Sequence, residues 1–275
     1  DVESAVNEIV AYTPEPAKII TMQNGIDAEM PVVNQFSKDG LIAGSLTTPV
    51  SFDDSLNIVE ERSNRGVAFA SPNGSREYKQ TVGLFKAAGL SAIGVRDYRS
   101  LKWSKALVNM VGNGTSAIVN RHPGKLYEYN PIYQIELRML KEALAVMEAK
   151  KIKVINLPGS PSKTLERAID WLPESLLQTL LTRQVRRGRG DKMPSWQIDL
   201  AANKNKSEVV YHNGAVAQHG QKAGVLTPIN WAINKILLDI ATDKIEWGTY
   251  NGRPKEFAKA MNRLIKEYKR VNSRQ

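Results

Sequence analysis

The sequence contains no cysteine among its 275 residues, which excludes disulfide bonds, thiolate metal sites and a cysteine nucleophile. Its three histidines show no HExxH-type spacing, so no metal site is expected. A run of about 18 apolar residues is also missing, as is a recognisable signal sequence, and we therefore expect a cytoplasmic protein that does not span a membrane.

Basic residues are concentrated rather than spread, although the formal net charge is +10. Residues 183–192 contribute five basic side chains less Asp191, and residues 253–274 contribute eight less two acidic ones, so these two segments carry the whole surplus. A chain that is otherwise neutral argues against nucleic-acid binding through a basic groove. The first segment is interpreted as a basic loop that steers an anionic substrate, with an ordinary solvated loop as the alternative.

Helical and strand patterns alternate in the first hundred residues. Helices are predicted over 2–12, 27–36 and 78–88, and strands over 18–22, 41–47, 57–61, 66–70 and 91–95. After Asp97 only helical patterns follow, over 101–120, 130–150, 163–181 (with an interruption at Pro173), 227–240 and 254–270. This order predicts an α/β part followed by an all-α part, with domains at 1–96 and 97–275.

One predicted helix carries polar side chains that suit a small substrate with a ketone and a hydroxyl group. Lys105, Asn109 and Asn113 recur every four residues, so a continuous helix would place them on nearly one face. The residues between them are apolar, which favours a cleft lining over a solvated face. The amine can donate a proton, and each carboxamide can both donate and accept hydrogen bonds.

A glycine motif follows directly in the same segment. Residues 112–117 match the pattern GxGxxA. A dinucleotide fingerprint needs a strand before it and a helix that opens at it, and neither pattern surrounds this one. The match is therefore interpreted as accidental.

The order of several short motifs resembles the ketopantoate reductase family over nearly all of residues 1–252. The motifs are Lys105, Asn109 and Asn113, then Ser195, Asp199, Ser207-Glu208, Asn213-Gly214 and Thr227-Pro228, with Gln23-Asn24-Gly25 and Gly44-Ser45-Leu46-Thr47 in the first domain. The resemblance implies a Rossmann-type domain that binds NADPH and a helical C-terminal domain. It also implies the reduction of ketopantoate (2-dehydropantoate), or a related 2-keto acid, on the way to pantothenate and coenzyme A.

The same resemblance implies roles for individual residues. Lys105 would be the general acid, Asn109 and Asn113 would face the substrate, Ser195 would bind its carboxylate, and Asn24, Val50 and Glu208 would contact the cofactor. Pro123 departs from the pattern, because some members place a substrate-contacting asparagine there. That contact is expected to be absent or moved.

The family's opening strand–GxGxxG–helix unit has no counterpart in the given sequence. Roughly 70–80 residues, about two βαβ units, would precede Asp1 if the resemblance is followed upstream. The fingerprint turn cradles the pyrophosphate at a helix N-terminus. Tight NADPH binding by these 275 residues alone is therefore not expected.

A second class of function stays open at this point. The basic terminal helix could bind an anionic partner in a non-catalytic interaction module. The simpler account of that helix is that it buries its apolar stripe (Phe257, Met261, Leu264 and Tyr268) on the helical domain. The stripe from Lys105 to Asn113 favours the enzyme, because a binding module has no need of it. The oligomeric state is also open, with a homodimer as one alternative.

Overall fold

The computed structural model describes residues 2–13, 18–62, 65–189 and 193–272. The chain forms two compact units. Residues Asp1–Val108 and Ile152–Leu165 make the first, and Asn109–Lys151 and Glu166–Gln275 make the second. The compact units divide after Val108, inside the helix that carries Lys105. The functional division at residue 97 that the sequence suggests stays a prediction.

The first unit is built on a four-stranded sheet in the described residues. Its elements are α1 (Val2–Tyr12), β1 (Ile19–Thr21), α2 (Met30–Phe36), β2 (Leu41–Leu46), β3 (Val50–Phe52), β4 (Ile58–Glu60), β5 (Val67–Ala70), α3 (Tyr78–Ala87), β6 (Ala92–Gly94) and α4 (Tyr98–Met110). The strand order is β1-β2-β5-β6. β1 is parallel to β2 and β5 is parallel to β6, while β2 and β5 are antiparallel.

The centre of the sheet is buried on both faces, as the apolar runs of β2 and β5 require. Ile42 and Phe69 pack with Tyr78 of α3, whereas Ala68 packs with Leu101 of α4 and Leu157 of the returning segment. Helices therefore cover both faces of the sheet. The strands β3 and β4 form a separate antiparallel hairpin, and the first of them was not predicted from the sequence.

The second unit is helical throughout its described residues, as predicted. Its elements are α5 (Gly114–Val119), α6 (Pro123–Leu126), α7 (Asn130–Ala149), α8 (Ser162–Trp171, which begins in the first unit), α9 (Glu174–Arg189), α10 (Ser195–Ala201), α11 (Asn213–Ala223), α12 (Pro228–Ala241) and α13 (Pro254–Asn272). Helix α12 lies against α7, α11 and α13. The predicted apolar stripe of α13 is buried, and Tyr268 packs against Trp231 with ring centroids 5.4 Å apart. The basic terminal helix is thus a packed element of this unit.

Two sequence-based predictions about the helices are wrong. The helix predicted over 101–120 ends at Met110, and a turn at Gly112 (φ 63°) precedes α5. The predicted basic loop is helical as far as Arg189, and Arg186 forms an ion pair with Glu128. Positions 190–192 of that loop lie outside the described residues.

No helix in the described ranges is long and apolar enough to cross a bilayer. The same ranges contain no group of three or more His, Asp or Glu side chains arranged for a metal ion.

Candidate functional site

Lys105 is the most unusual ionisable group of the first unit. Burial, with smaller contributions from the positive charges of Arg65 and Lys102, lowers the pKa of Lys105 from its usual 10.5 to about 8. No acidic group opposes this shift, and no described residue hydrogen-bonds or ion-pairs with its ammonium. A desolvated ammonium without a counter-charge readily gives up its proton and attracts an anion.

The predicted cofactor residues of the first unit lie at or beyond strand ends. Asn24 follows β1 and is exposed. Gly44 of β2 lies so close to β1 that a Cβ atom there would be 2.9 Å from the Thr21 carbonyl oxygen, which explains why a side chain is missing. Val50 begins the β3–β4 hairpin and is half exposed. Asn24 and Val50 are therefore accessible to a ligand within this unit.

The turn at Gly112 changes the geometry of the predicted polar stripe. Asn113 occupies the N-cap position of α5 and does not continue the face of α4. Its Nδ2 donates to the Asn109 carbonyl oxygen at 3.3 Å, and its Oδ1 accepts from the Trp196 backbone N–H at 3.4 Å. The prediction that Asn113 lies on the same helix face as Lys105 and Asn109 is therefore wrong.

Tertiary contacts explain why the helix breaks at this point. Gly112 adopts a left-handed backbone, which costs glycine little. A Cβ atom at Gly112 would lie 2.7 Å from the Pro123 Cβ, so a larger residue would not fit. The Gly112 N–H donates to a carboxylate oxygen of Glu136 at 2.9 Å.

Trp196 brings together the predicted site residues of the second unit. It follows Ser195, which is exposed at the first position of α10. Its backbone N–H reaches Asn113, its indole N–H donates to Glu208 Oε2 at 3.3 Å, and its ring packs edge-on against His212. Sequence reasoning missed this residue. The sequence does show a tryptophan directly after the predicted substrate serine. Because a buried indole N–H requires an acceptor, this tryptophan could have been predicted to bond to a polar residue of the site.

A network of buried hydrogen bonds involves two of the sequence motifs and gives them a structural role. Glu142 of α7 accepts backbone N–H bonds from Ile229 and Asn230, both at 2.9 Å, and so caps α12 from a distance. Asn213 donates to Asn230 at 3.0 Å. Burial raises the pKa of Glu142 to about 7, against the opposing effect of these hydrogen bonds. The Asn213-Gly214 and Thr227-Pro228 motifs thus lie in the interior of the unit.

Several known proteins are similar to this chain in sequence or in fold. The family model described as "Ketopantoate reductase PanE/ApbA C terminal" matches residues 97–241. The crystal structure of a PanE/ApbA family ketopantoate reductase from Ralstonia eutropha JMP134 superposes with a TM-score of 0.69 at 19% identity, over 89% of this chain and 73% of that one. D-mandelate dehydrogenase in complex with NADH gives a TM-score of 0.68 at 18% identity, over 89% and 76%.

Sequence relatives point the same way. The 2-dehydropantoate 2-reductase of Pyrococcus horikoshii is 25% identical over 223 residues, which are 79% of this chain and 66% of the relative. The enzyme of the same name from Lactococcus lactis subsp. lactis is 23% identical over 238 residues, which are 82% of this chain and 67% of the relative. The chain thus spans about two thirds of the length of these two curated relatives.

A Rossmann-type α/β unit followed by an all-helical unit is the architecture that the chain shares with these solved structures. The chain belongs to the ketopantoate reductase family. The family and fold class predicted from the ordered motifs are thereby confirmed, whereas the roles of individual site residues stay predictions.

Proposed function

We propose that the protein is an oxidoreductase that reduces ketopantoate, or a related 2-keto acid, to the 2-hydroxy acid with NADPH, as a step of pantothenate and coenzyme A biosynthesis. Membership of the family supports the reaction class, and relatives named 2-dehydropantoate 2-reductase support the substrate. The solved relative that holds NADH supports a nicotinamide cofactor. The preference for NADPH over NADH in this proposal is supported by the family resemblance.

The observation that carries the proposal is the Lys105 ammonium, which is largely desolvated and forms no hydrogen bond or ion pair with any described residue. Reduction of a ketone develops negative charge on the carbonyl oxygen, so the site must supply a proton and positive charge. Lys105 offers both, and its pKa of about 8 lies close to neutral pH, where a general acid works best. The ammonium also attracts the carboxylate of a 2-keto acid.

The residues of this chain fit the nicotinamide end of the cofactor better than its phosphates. The GxGxxA segment forms the Gly112 turn and the buried helix α5, so it does not present a phosphate-binding turn. When bound, the reduced nicotinamide would supply the hydride. The proposed contacts to it are Asn24, Val50 and Glu208, each accessible within its own unit.

The proposed substrate contacts are Asn109, Asn113 and Ser195. The Ser195 side chain is exposed at the start of α10, and its hydroxyl can donate a hydrogen bond to a carboxylate. Asn113 Oδ1 accepts from the Trp196 N–H, and its Nδ2 donates one hydrogen to the Asn109 carbonyl oxygen. The second Nδ2 hydrogen and the second lone pair of Oδ1 are what Asn113 can offer to a ligand.

The direct test is an assay of NADPH oxidation with 2-dehydropantoate as substrate, performed on the protein together with any residues that precede Asp1 in it. We expect turnover with NADPH that exceeds turnover with NADH at equal concentration. Pyruvate and the 2-keto acid that corresponds to mandelate serve as comparison substrates, because they separate a preference for the pantoate skeleton from general 2-keto acid reduction. Absence of cofactor oxidation with all three acids and both cofactors would contradict the proposal.

The pH dependence of the rate provides a second prediction. A general acid must be protonated, so kcat for reduction should fall as pH rises through about 8, the pKa of Lys105. Arg65 is the largest charged contributor to that lowered pKa. Arg65→Met should therefore raise the pKa of Lys105 and move the falling limb to higher pH. An exposed arginine, replaced as Arg76→Met, is the control, and an unmoved limb in Arg65→Met would contradict the assignment.

A further inference from the structure

A second lysine lies one turn before Lys105 in α4 and has the opposite environment. Lys102 is only 2% exposed. Its Nζ lies 2.5 Å from Glu29 Oε1 and donates to the carbonyl oxygens of Gln23 at 2.8 Å and Gly44 at 2.9 Å. Three acceptors around one ammonium satisfy all of its hydrogens, so the position of the Lys102 side chain is fixed. The Lys105 ammonium, in contrast, has no hydrogen-bond partner among the described residues.

The two carbonyl groups bound by Lys102 mark the place where two parallel strands separate. β1 and β2 pair from Ile19 with Leu41 to Thr21 with Ala43. Just past that point, Gln23 and Gly44 each present a carbonyl oxygen to the same ammonium. In open α/β sheets, ligands bind in the crevice outside the carboxyl ends of the strands. Lys102 therefore fixes the backbone at the edge that is suited to a ligand.

The contact with Gln23 also fixes the backbone of Asn24. The Gln23 carbonyl and the Asn24 N–H belong to one planar peptide group and point in opposite directions. With the oxygen directed inward to Lys102, the Asn24 N–H is directed away from the interior, and the Asn24 side chain is exposed. The orientation of a proposed cofactor residue thus depends on a buried lysine that does not reach the surface.

We infer that Lys102 is a positioning residue, which holds the Gln23–Asn24 peptide and the carboxyl end of β2 in the geometry that receives the nicotinamide cofactor. This inference rests on the proposed function. Stability alone is a poor explanation for the ion pair, because apolar replacements of buried pairs are often neutral or stabilising. In the described part of the chain, Glu29 Oε2 has no hydrogen-bond partner, so the pair is not arranged for maximal stability.

The test replaces both partners at once, as Lys102→Met with Glu29→Met. The single change Lys102→Met would leave the Glu29 carboxylate buried without its cation, whereas the double variant leaves a packed apolar pair. We expect the double variant to fold with a lowered thermal stability, because the Gln23 and Gly44 carbonyl oxygens lose the hydrogen bonds from Lys102 and the Thr21 hydroxyl loses its bond to Glu29. Its KM for NADPH should rise about tenfold or more, within the ~10²-fold that a misplacement of ~1 Å can cost. Its kcat at saturating NADPH should change much less.

The matched control is Lys18→Met with Glu77→Met, which removes a half-exposed pair of the same unit and should leave both constants unchanged. A folded double variant with the wild-type KM for NADPH would overturn the inference. If the double variant does not fold, Lys102→Arg keeps the charge but displaces the two carbonyls, and a wild-type KM in that variant would overturn the inference equally. An inactive wild-type protein would instead remove the proposed function, and the inference with it, before any variant is compared.

Discussion

Lys105→Met should lower kcat for 2-keto acid reduction by about 10²–10⁴-fold, the range expected for the loss of a general acid. Methionine preserves the length and apolar stem of the side chain but supplies neither a proton nor a charge. The Lys105 ammonium is the group whose burial without a counter-charge supports the mechanism. Because the described contacts do not tie its ammonium to the fold, the variant should remain folded, and its KM for NADPH should change little.

Two further variants separate the causes of that loss. Lys105→Arg keeps a positive charge but has a pKa above about 12, so it is a poor proton donor near neutral pH. A low kcat in both variants would assign the effect to proton transfer, whereas substantial activity in Lys105→Arg would assign it to charge. Lys86→Met on the exposed face of α3 is the control for removal of a lysine. Wild-type kcat in Lys105→Met would show that the assignment is wrong.

The order of elements could be predicted because local signals and burial agree. The apolar run Leu41–Leu46 reads as a buried strand and forms β2 at the centre of the sheet. Asn130-Pro131 and Thr227-Pro228 mark helix starts, and α7 and α12 begin there. The strand β3 was missed because three exposed or half-exposed residues carry no periodic pattern.

The turn at Gly112 could not be predicted from local sequence. The spacing of Lys105, Asn109 and Asn113 is helical, and a single glycine does not by itself end a helix. The break depends on Pro123 and on Glu136, which follow by 11 and 24 residues along the chain. Contacts between residues so far apart along the chain do not change the local spacing of polar and apolar residues. The spacing alone therefore predicts a helix that continues past Met110 to Asn113.

In the candidate site, too, the sequence predicts which residue types are present, whereas their contacts are visible only in the structure. Lysine at position 105 was identified through its spacing from two asparagines. Apart from that spacing, the sequence does not show how the surroundings of Lys102 and Lys105 differ, since both are lysines of one predicted helix. The difference lies in partners that are distant along the chain, because Glu29, Gln23 and Gly44 engage Lys102, whereas no described residue pairs with the Lys105 ammonium.

The largest stability effect is expected at Glu136, which anchors the turn that carries Asn113. This carboxylate of α7 is 1% exposed and accepts from the Gly112 N–H at 2.9 Å, the Thr115 hydroxyl at 2.5 Å and the Tyr127 hydroxyl at 2.9 Å. Glu136→Gln keeps the shape but replaces the charged acceptor with a neutral amide whose nitrogen can only donate, so one hydroxyl that donates to Glu136 loses its acceptor. Hydrogen bonds to a charged acceptor contribute about 1.5–3 kcal/mol, and a buried donor left without a partner costs about 1–3 kcal/mol.

We therefore expect Glu136→Gln to lower the free energy of unfolding by about 2–4 kcal/mol, measured by urea denaturation with a probe in the helical unit such as tryptophan fluorescence. Glu148→Gln on the exposed part of the same helix is the matched control and should lie within about 0.5 kcal/mol of wild type. The Gly112 turn also positions Asn113, so the KM for the 2-keto acid should rise in Glu136→Gln at temperatures where the protein is still folded. A variant as stable as the control would mean that the Gly112 turn is held by Pro123 and glycine alone, and that Glu136 does not set the position of Asn113.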